Sequence, residues 1–168
     1  RWYQAVAGLA QGENRWDDAL DWAEAGLQAF PASPELLLAR GSIEETVATL
    51  AALPSTEPAL VAAPSQRQAS RQRQHDARFQ LERARDAYVA ALAAAPGLPE
   101  ARLRLGRVLW RLGRAAEARE TLEGLLAGPE AGATVFLARL FLGRMHEDAG
   151  RLDHALADYE AALALHPR

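Results

Sequence analysis

Leu105–Ala118 (LGRVLWRLGRAAEA) and Leu142–Ala155 (LGRMHEDAGRLDHA) carry the same Leu-Gly-Arg, Gly-Arg and Ala residues at matching places. Each pair lies 37 residues apart, as in Gly106 and Gly143 or Gly113 and Gly150. Recurrence at such a period means stacked supersecondary units, each too small to bury an apolar face alone. A chain built this way offers surfaces, with no chemistry intrinsic to the repeat.

The repeated unit reads as two helices. Leu137–Ala149 is apolar at Leu137, Leu140, Phe141 and Met145, and Leu152–Leu165 at Leu152, Ala155, Leu156, Tyr159, Ala162 and Leu163. Three-four spacing gives one buried stripe per helix, and the break at Gly150-Arg151 predicts an antiparallel hairpin. Ala, Leu, Arg and Glu dominate throughout and no alternating strand pattern persists, so the expected class is all-α.

These residues resemble the tetratricopeptide repeat (TPR), whose pattern is W-x2-L-G-x2-Y, then A-x3-F, a small residue and P. Leu142-Gly143 and Ala155-x3-Tyr159-x2-Ala162-x4-Pro167 match it. Arg139 and His146 stand where the pattern has its aromatic residues. Leu105-Gly106, Leu109, Ala118 and Leu122, with an early Pro129, match one unit earlier. Ala84-x3-Tyr88-x2-Ala91-x4-Pro96 and Ala19, Ala23, Gly26 and Pro31 give two further second helices. The resemblance implies one α-solenoid domain over 1–168, with hairpins at about 1–33, 34–98, 99–135 and 136–168.

The stretch 34–98 departs from the period. Ser33, Pro34 and Glu35 start a helix expected over Pro34–Leu53. Pro54–Pro64 reads as a linker with one helical turn. The polar run SQRQASRQRQHDAR continues into Phe79 without a breaker, which predicts one long helix over Gln66–Ala94 capped by Ser65. Its polar half would project roughly 20 Å at ~1.5 Å per residue. The alternative is two worn repeats.

Catalytic and metal-binding readings fare poorly. There is no cysteine, no phosphate-loop motif, and no second histidine one turn after His146-Glu147. Glu44-Glu45 and Asp17-Asp18 are neighbours on helices, so their carboxylates diverge. Arg67, Arg71, Arg73, Arg78, Arg83 and Arg85 are interleaved with Asp76, Glu82 and Asp86, and read as a solvated face laced by Arg78–Glu82 and Glu82–Arg85 pairs. No enzyme activity, cofactor or metal is expected. A net charge of −3 gives a nucleic-acid role no support, and no run is long enough to enter a membrane.

The resemblance implies protein–protein interaction, as adaptor, scaffold or assembly factor. Leu103, Arg107, Trp110 and Arg111 of one first helix, and Leu140, Arg144, Glu147 and Asp148 of the next, would line the concave groove. Arg107 and Arg144 would form a row reading an acidic peptide or helix. Leu103, Arg107, Leu137 and Phe141 replace the polar residues of the chaperone-tail clamp, which argues against that ligand. The stripe at Leu156, Tyr159 and Leu163 predicts an uncovered C-terminal repeat able to form a homodimer. The first residue is Arg1, so the chain is expected to be part of something longer, and a regulatory segment of a multidomain protein or a self-assembling structural module are the alternatives. All basic side chains are Arg, expected of a GC-rich bacterial genome, with cytoplasm and periplasm fitting equally.

Overall fold

The computed structural model describes residues 1–53, 64–128 and 132–165, with only the helical backbone given for 64–67. The described residues form α1 (Trp2–Gly12), α2 (Trp16–Ala29), α3 (Pro34–Ala51), α4 (Pro64–Ala94), α5 (Pro99–Arg111), α6 (Ala115–Leu126), α7 (Ala133–Asp148) and α8 (Leu152–Ala164). They show no strand. Two compact units result, Arg1–Ala94 and Ala95–Arg168.

Three hairpins turn in the same way. Asn14, Gly113 and Gly150 adopt positive φ of 58°, 80° and 71°. After each, an Arg amide reaches back five residues: Arg15 to Ala10 O, Arg114 to Leu109 O and Arg151 to His146 O, at 2.9, 2.9 and 2.8 Å. This closure satisfies carbonyls that the helix end leaves open. Gly150→Ala should therefore cost about 1 kcal/mol through the left-handed backbone alone, readable as a lower midpoint in chemical denaturation.

In the first unit, α1 and α2 form a hairpin on which α3 packs. Ala10, Ala19, Ala23 and Ile43 make the buried cluster, flanked by Trp16, Leu20 and Val47. Ser33 caps α3, its Oγ accepting from Leu36 N–H at 3.3 Å. The α3–α4 pair is closed by size complementarity: a Cβ on Gly41 would lie 2.5 Å from the Tyr88 ring. Residues 68–76 of α4 are exposed except for half-buried Arg73, and burial begins at Ala77. Helix α4 starts at Pro64, so Ser65 lies inside it and does not precede it. The expected turn in Pro54–Pro64 falls outside the described residues, apart from Pro64.

The second unit repeats the device. Gly106 receives Leu122 and Gly143 receives Tyr159, where a Cβ would meet side-chain atoms at 2.6 and 2.5 Å. Interiors are packed too densely to absorb such overlap without displacement. Helix α7 begins at Ala133 behind Gly132. Arg139, in place of the signature Trp, pairs with buried Asp158 at 2.7 Å. Pro129 and Pro167 lie outside the described residues.

Candidate partner-binding groove

Helices α5 and α7 lie side by side within the second unit. Between them is a cavity of about 100 Å3 lined by Glu100, Leu103, Arg104, Arg107, Leu137 and Phe141. The α5 wall follows from sequence: Glu100, Leu103, Arg104 and Arg107 fall on one helical face. Leu103 is buried and forms the floor. The Arg107 guanidinium lies over the Phe141 ring, 5.9 Å from its centroid, a cation–π distance. Arg104 Nε donates to Glu100 Oε1 at 2.5 Å.

Leu103 and Arg107 thus meet α7, through Leu137 and Phe141. Leu140 and Arg144 are not in this wall. Leu140 is half-buried, and exposed Arg144 turns along its own helix to Glu147 at 3.5 Å and Asp148 at 3.2 Å. Glu147 also accepts from Tyr159 O–H at 2.9 Å. That bond and burial hold the Tyr159 phenol above its ordinary pKa, burial first. Trp110 is half-buried and Arg111 exposed. Leu137 and Phe141 were visible in sequence as the residues one repeat beyond Glu100 and Arg104.

A second, larger cavity of about 520 Å3 lies in the first unit, where α2 begins and α3 ends. Asn14, Arg15, Trp16, Asp17, Asp18, Val47, Leu50 and Ala51 line it. Sequence reasoning missed it because its two walls are thirty residues apart. Asp18 pairs there with Arg15 at 3.4 Å.

The placement of Arg83 differs from expectation. Glu44 and Glu45 are buried, at 0% and 2% exposure. Glu44 Oε1 takes Arg40 Nε at 3.1 Å and Arg83 Nε at 2.9 Å, and Arg83 also reaches Glu24 at 2.8 Å. Arg83 therefore belongs to an ion network tying α2, α3 and α4 together, and not to a solvated face. Tyr88 O–H donates to Glu45 at 3.0 Å. Burial raises the Glu44 pKa despite both arginines, and its Oε2 is buried without a hydrogen-bond partner. Arg85 keeps to its own helix as expected, pairing with Glu82 and Asp86.

His146 is buried, as its packing place predicts, and burial lowers its pKa. The His154 ring stacks obliquely on it at 5.3 Å. Among the described residues no group of three His, Asp or Glu side chains could hold a metal ion, and no helix is long and apolar enough to cross a membrane.

Two family profiles, both described as tetratricopeptide repeat, match residues 77–129 and 135–168, together just over half of the chain. Comparison with curated proteins finds no match. Among solved structures, the human IFIT1 dimer with m7Gppp-AAAA is similar at a TM-score of 0.78 and 17% identity, covering 98% of this chain and 34% of that one. A monomeric IFIT1 mutant with Gppp-AAAA gives 0.79 and 18%, with the same coverage. TTC0263, a TPR protein of Thermus thermophilus, gives 0.50 and 22%, covering 99% of this chain and 91% of that one. The chain spans about a third of the length of IFIT1, and these likenesses concern the fold.

Proposed function

The chain belongs to the tetratricopeptide repeat family, with its all-α solenoid fold, and from that premise we propose that it is a protein-interaction module docking an acidic peptide or helix along α5 and α7. The cavity between these helices, with Arg107 set on Phe141, carries the reading. Leu103, Leu137 and Phe141 offer an apolar seat, and Arg107 a cation beside it. Arg111, Trp110, Leu140, Arg144 and Glu147 extend the surface along the same two helices. A guanidinium on an aromatic face is held at modest cost in entropy, and it pairs with a carboxylate through two parallel hydrogen bonds. The partner would therefore present an apolar side chain close to an Asp or Glu. The capped oligonucleotide named with IFIT1 is not carried over: the net charge here is −3, and Glu100 shares the cavity wall.

Affinity capture from the source organism, with the captured protein then titrated in purified form, tests this. Arg107→Glu with Arg144→Glu should weaken binding by at least tenfold, and added salt should weaken the wild-type complex. Circular dichroism should show unchanged helix content. Binding that survives both reversals removes the groove assignment.

A further inference from the structure

Helix α3 outruns its counterparts. It continues ten residues past Gly41, whereas α5 and α7 stop five past Gly106 and Gly143. The five extra residues are Val47, Ala48, Thr49, Leu50 and Ala51. Four of them are apolar, although a helical turn facing water alone is ordinarily polar. Helix α4, the partner of α3 in the hairpin, obeys that rule: its residues 68–76 are polar apart from Ala69. The extension of α3 stands beside the α1–α2 turn. Val47, Leu50 and Ala51 are one wall of the cavity of about 520 Å3, and the start of α2 is the other. Every α3 residue in that wall comes from the extension, so the cavity is a product of the departure from the repeat period.

The two halves of the cavity differ in chemistry. The apolar half is fixed: Trp16 and Val47 both pack on the cluster of Ala10, Ala19, Ala23 and Ile43. The half-buried indole therefore presents a rigid face beside Leu50, which is 45% exposed. The rim is acidic. Arg15 is taken up by Glu13 at 3.0 Å and Asp18 at 3.4 Å. Asp17 is exposed and makes no ion pair among the described residues. Asp21, one turn on along the same exposed face, makes none among them either. The local field is also stronger than the chain's composition suggests. Residues 1–33 hold five carboxylates and two arginines, a net −3, which is the whole of the protein's excess charge. Residues 34–168 are balanced. An occupant thus needs an apolar group for the Trp16–Leu50 seat and a positive charge within reach of Asp17, and an anionic one is repelled.

We propose that this cavity docks a basic peptide segment: an apolar side chain enters between Trp16 and Leu50, and a flanking Arg or Lys pairs with Asp17 and Asp18. Arg fits better than Lys, because its planar group forks onto a carboxylate and also lies on an indole face. Asp17 and Asp21 repeat the negative charge at about 6 Å, which suits basic residues in series more than a single small cation. The site lies wholly in the first unit. Its ligand is opposite in charge to that of the α5–α7 groove, so the two are titrated separately.

Nuclear magnetic resonance tests it. The indole N–H of Trp16, identified by its loss in Trp16→Phe, reports on the cavity. Three capped tetrapeptides serve as probes: Leu-Arg-Arg-Leu, Leu-Gln-Gln-Leu and Leu-Glu-Glu-Leu. The basic peptide should shift the Trp16 signal saturably at millimolar concentration. The neutral one should bind about threefold more weakly, and the acidic one should leave the signal in place. Asp17→Asn, which spares the Arg15–Asp18 pair, should narrow the gap between basic and neutral peptides, and Leu50→Ser should weaken both. Both positions are exposed, and circular dichroism confirms that each variant is folded. An acidic peptide that binds as well as the basic one, an Asp17→Asn protein with the gap unchanged, or no shift from any peptide overturns the proposal. So does a Trp16 signal that moves on dilution of the protein alone, which means that a second copy already occupies the cavity.

Discussion

Truncating Tyr88 to alanine should cost about 3–5 kcal/mol of stability, as removal of a fully buried aromatic ring does. The ring is 0% exposed and fills the space that Gly41 leaves open. Tyr88→Phe keeps the ring and gives up the hydrogen bond to buried Glu45, so its cost should be about 1.5–3 kcal/mol. Gly41→Ala should cost about 1–3 kcal/mol, because the added Cβ overlaps the ring and the core has nowhere to send it. Combining Gly41→Ala with Tyr88→Leu should cost less than the sum of the two, since each change relieves the other. Urea denaturation of wild type, the four single variants including Tyr88→Leu, and the double variant reads all these values. Strict additivity, or a Tyr88→Ala loss below 1 kcal/mol, would show that the glycine–tyrosine contact does not hold α3 to α4.

That contact shows where the sequence was legible and where it was not. Gly106 and Gly143 were readable because each precedes its large partner, Leu122 or Tyr159, by the same short interval and follows a leucine. Gly41 follows Arg40, and its partner Tyr88 lies three times farther along the chain, beyond 54–63 and the long start of α4. The motif was intact in space and stretched in sequence. The groove shows the same division. Leu103 and Arg107 share one face of α5, because helix periodicity fixes a face. Periodicity does not fix which partner an arginine takes. Arg144 has Glu147 and Asp148 one turn ahead on its own helix and folds back to them. Arg107 has Trp110 and Arg111 there, and its guanidinium lies over the Phe141 ring of α7. Equivalent positions in two repeats therefore do different things, and a row of paired guanidinium groups does not follow from the repeat alone.

Glu44 supplies the second large effect. Arg83→Met should destabilise the protein at neutral pH by about 1.5–3 kcal/mol, the worth of a hydrogen bond to a charged group, since it strips one of two cations from a buried carboxylate. The pH dependence of that loss follows from the raised pKa of Glu44. A raised carboxylate pKa means that the unfolded chain gives up this proton at lower pH than the folded one. The group's own contribution to stability is thus complete below the ordinary carboxylate range, and falls as pH rises through the folded value. Above that value the buried side chain is charged and depends on Arg83; below it the carboxyl is neutral and needs no cation. The difference between wild type and Arg83→Met should therefore shrink on acidification through Glu44's folded pKa, while carboxylates common to both proteins cancel. Replacing Glu44 and Arg83 together by methionine should restore most of the loss at neutral pH, because an apolar pair incurs no desolvation penalty for buried charge. Denaturation midpoints of the three proteins at neutral and acidic pH decide the matter. An Arg83→Met loss independent of pH would mean that the guanidinium acts through its packed stem and not through the Glu44 charge.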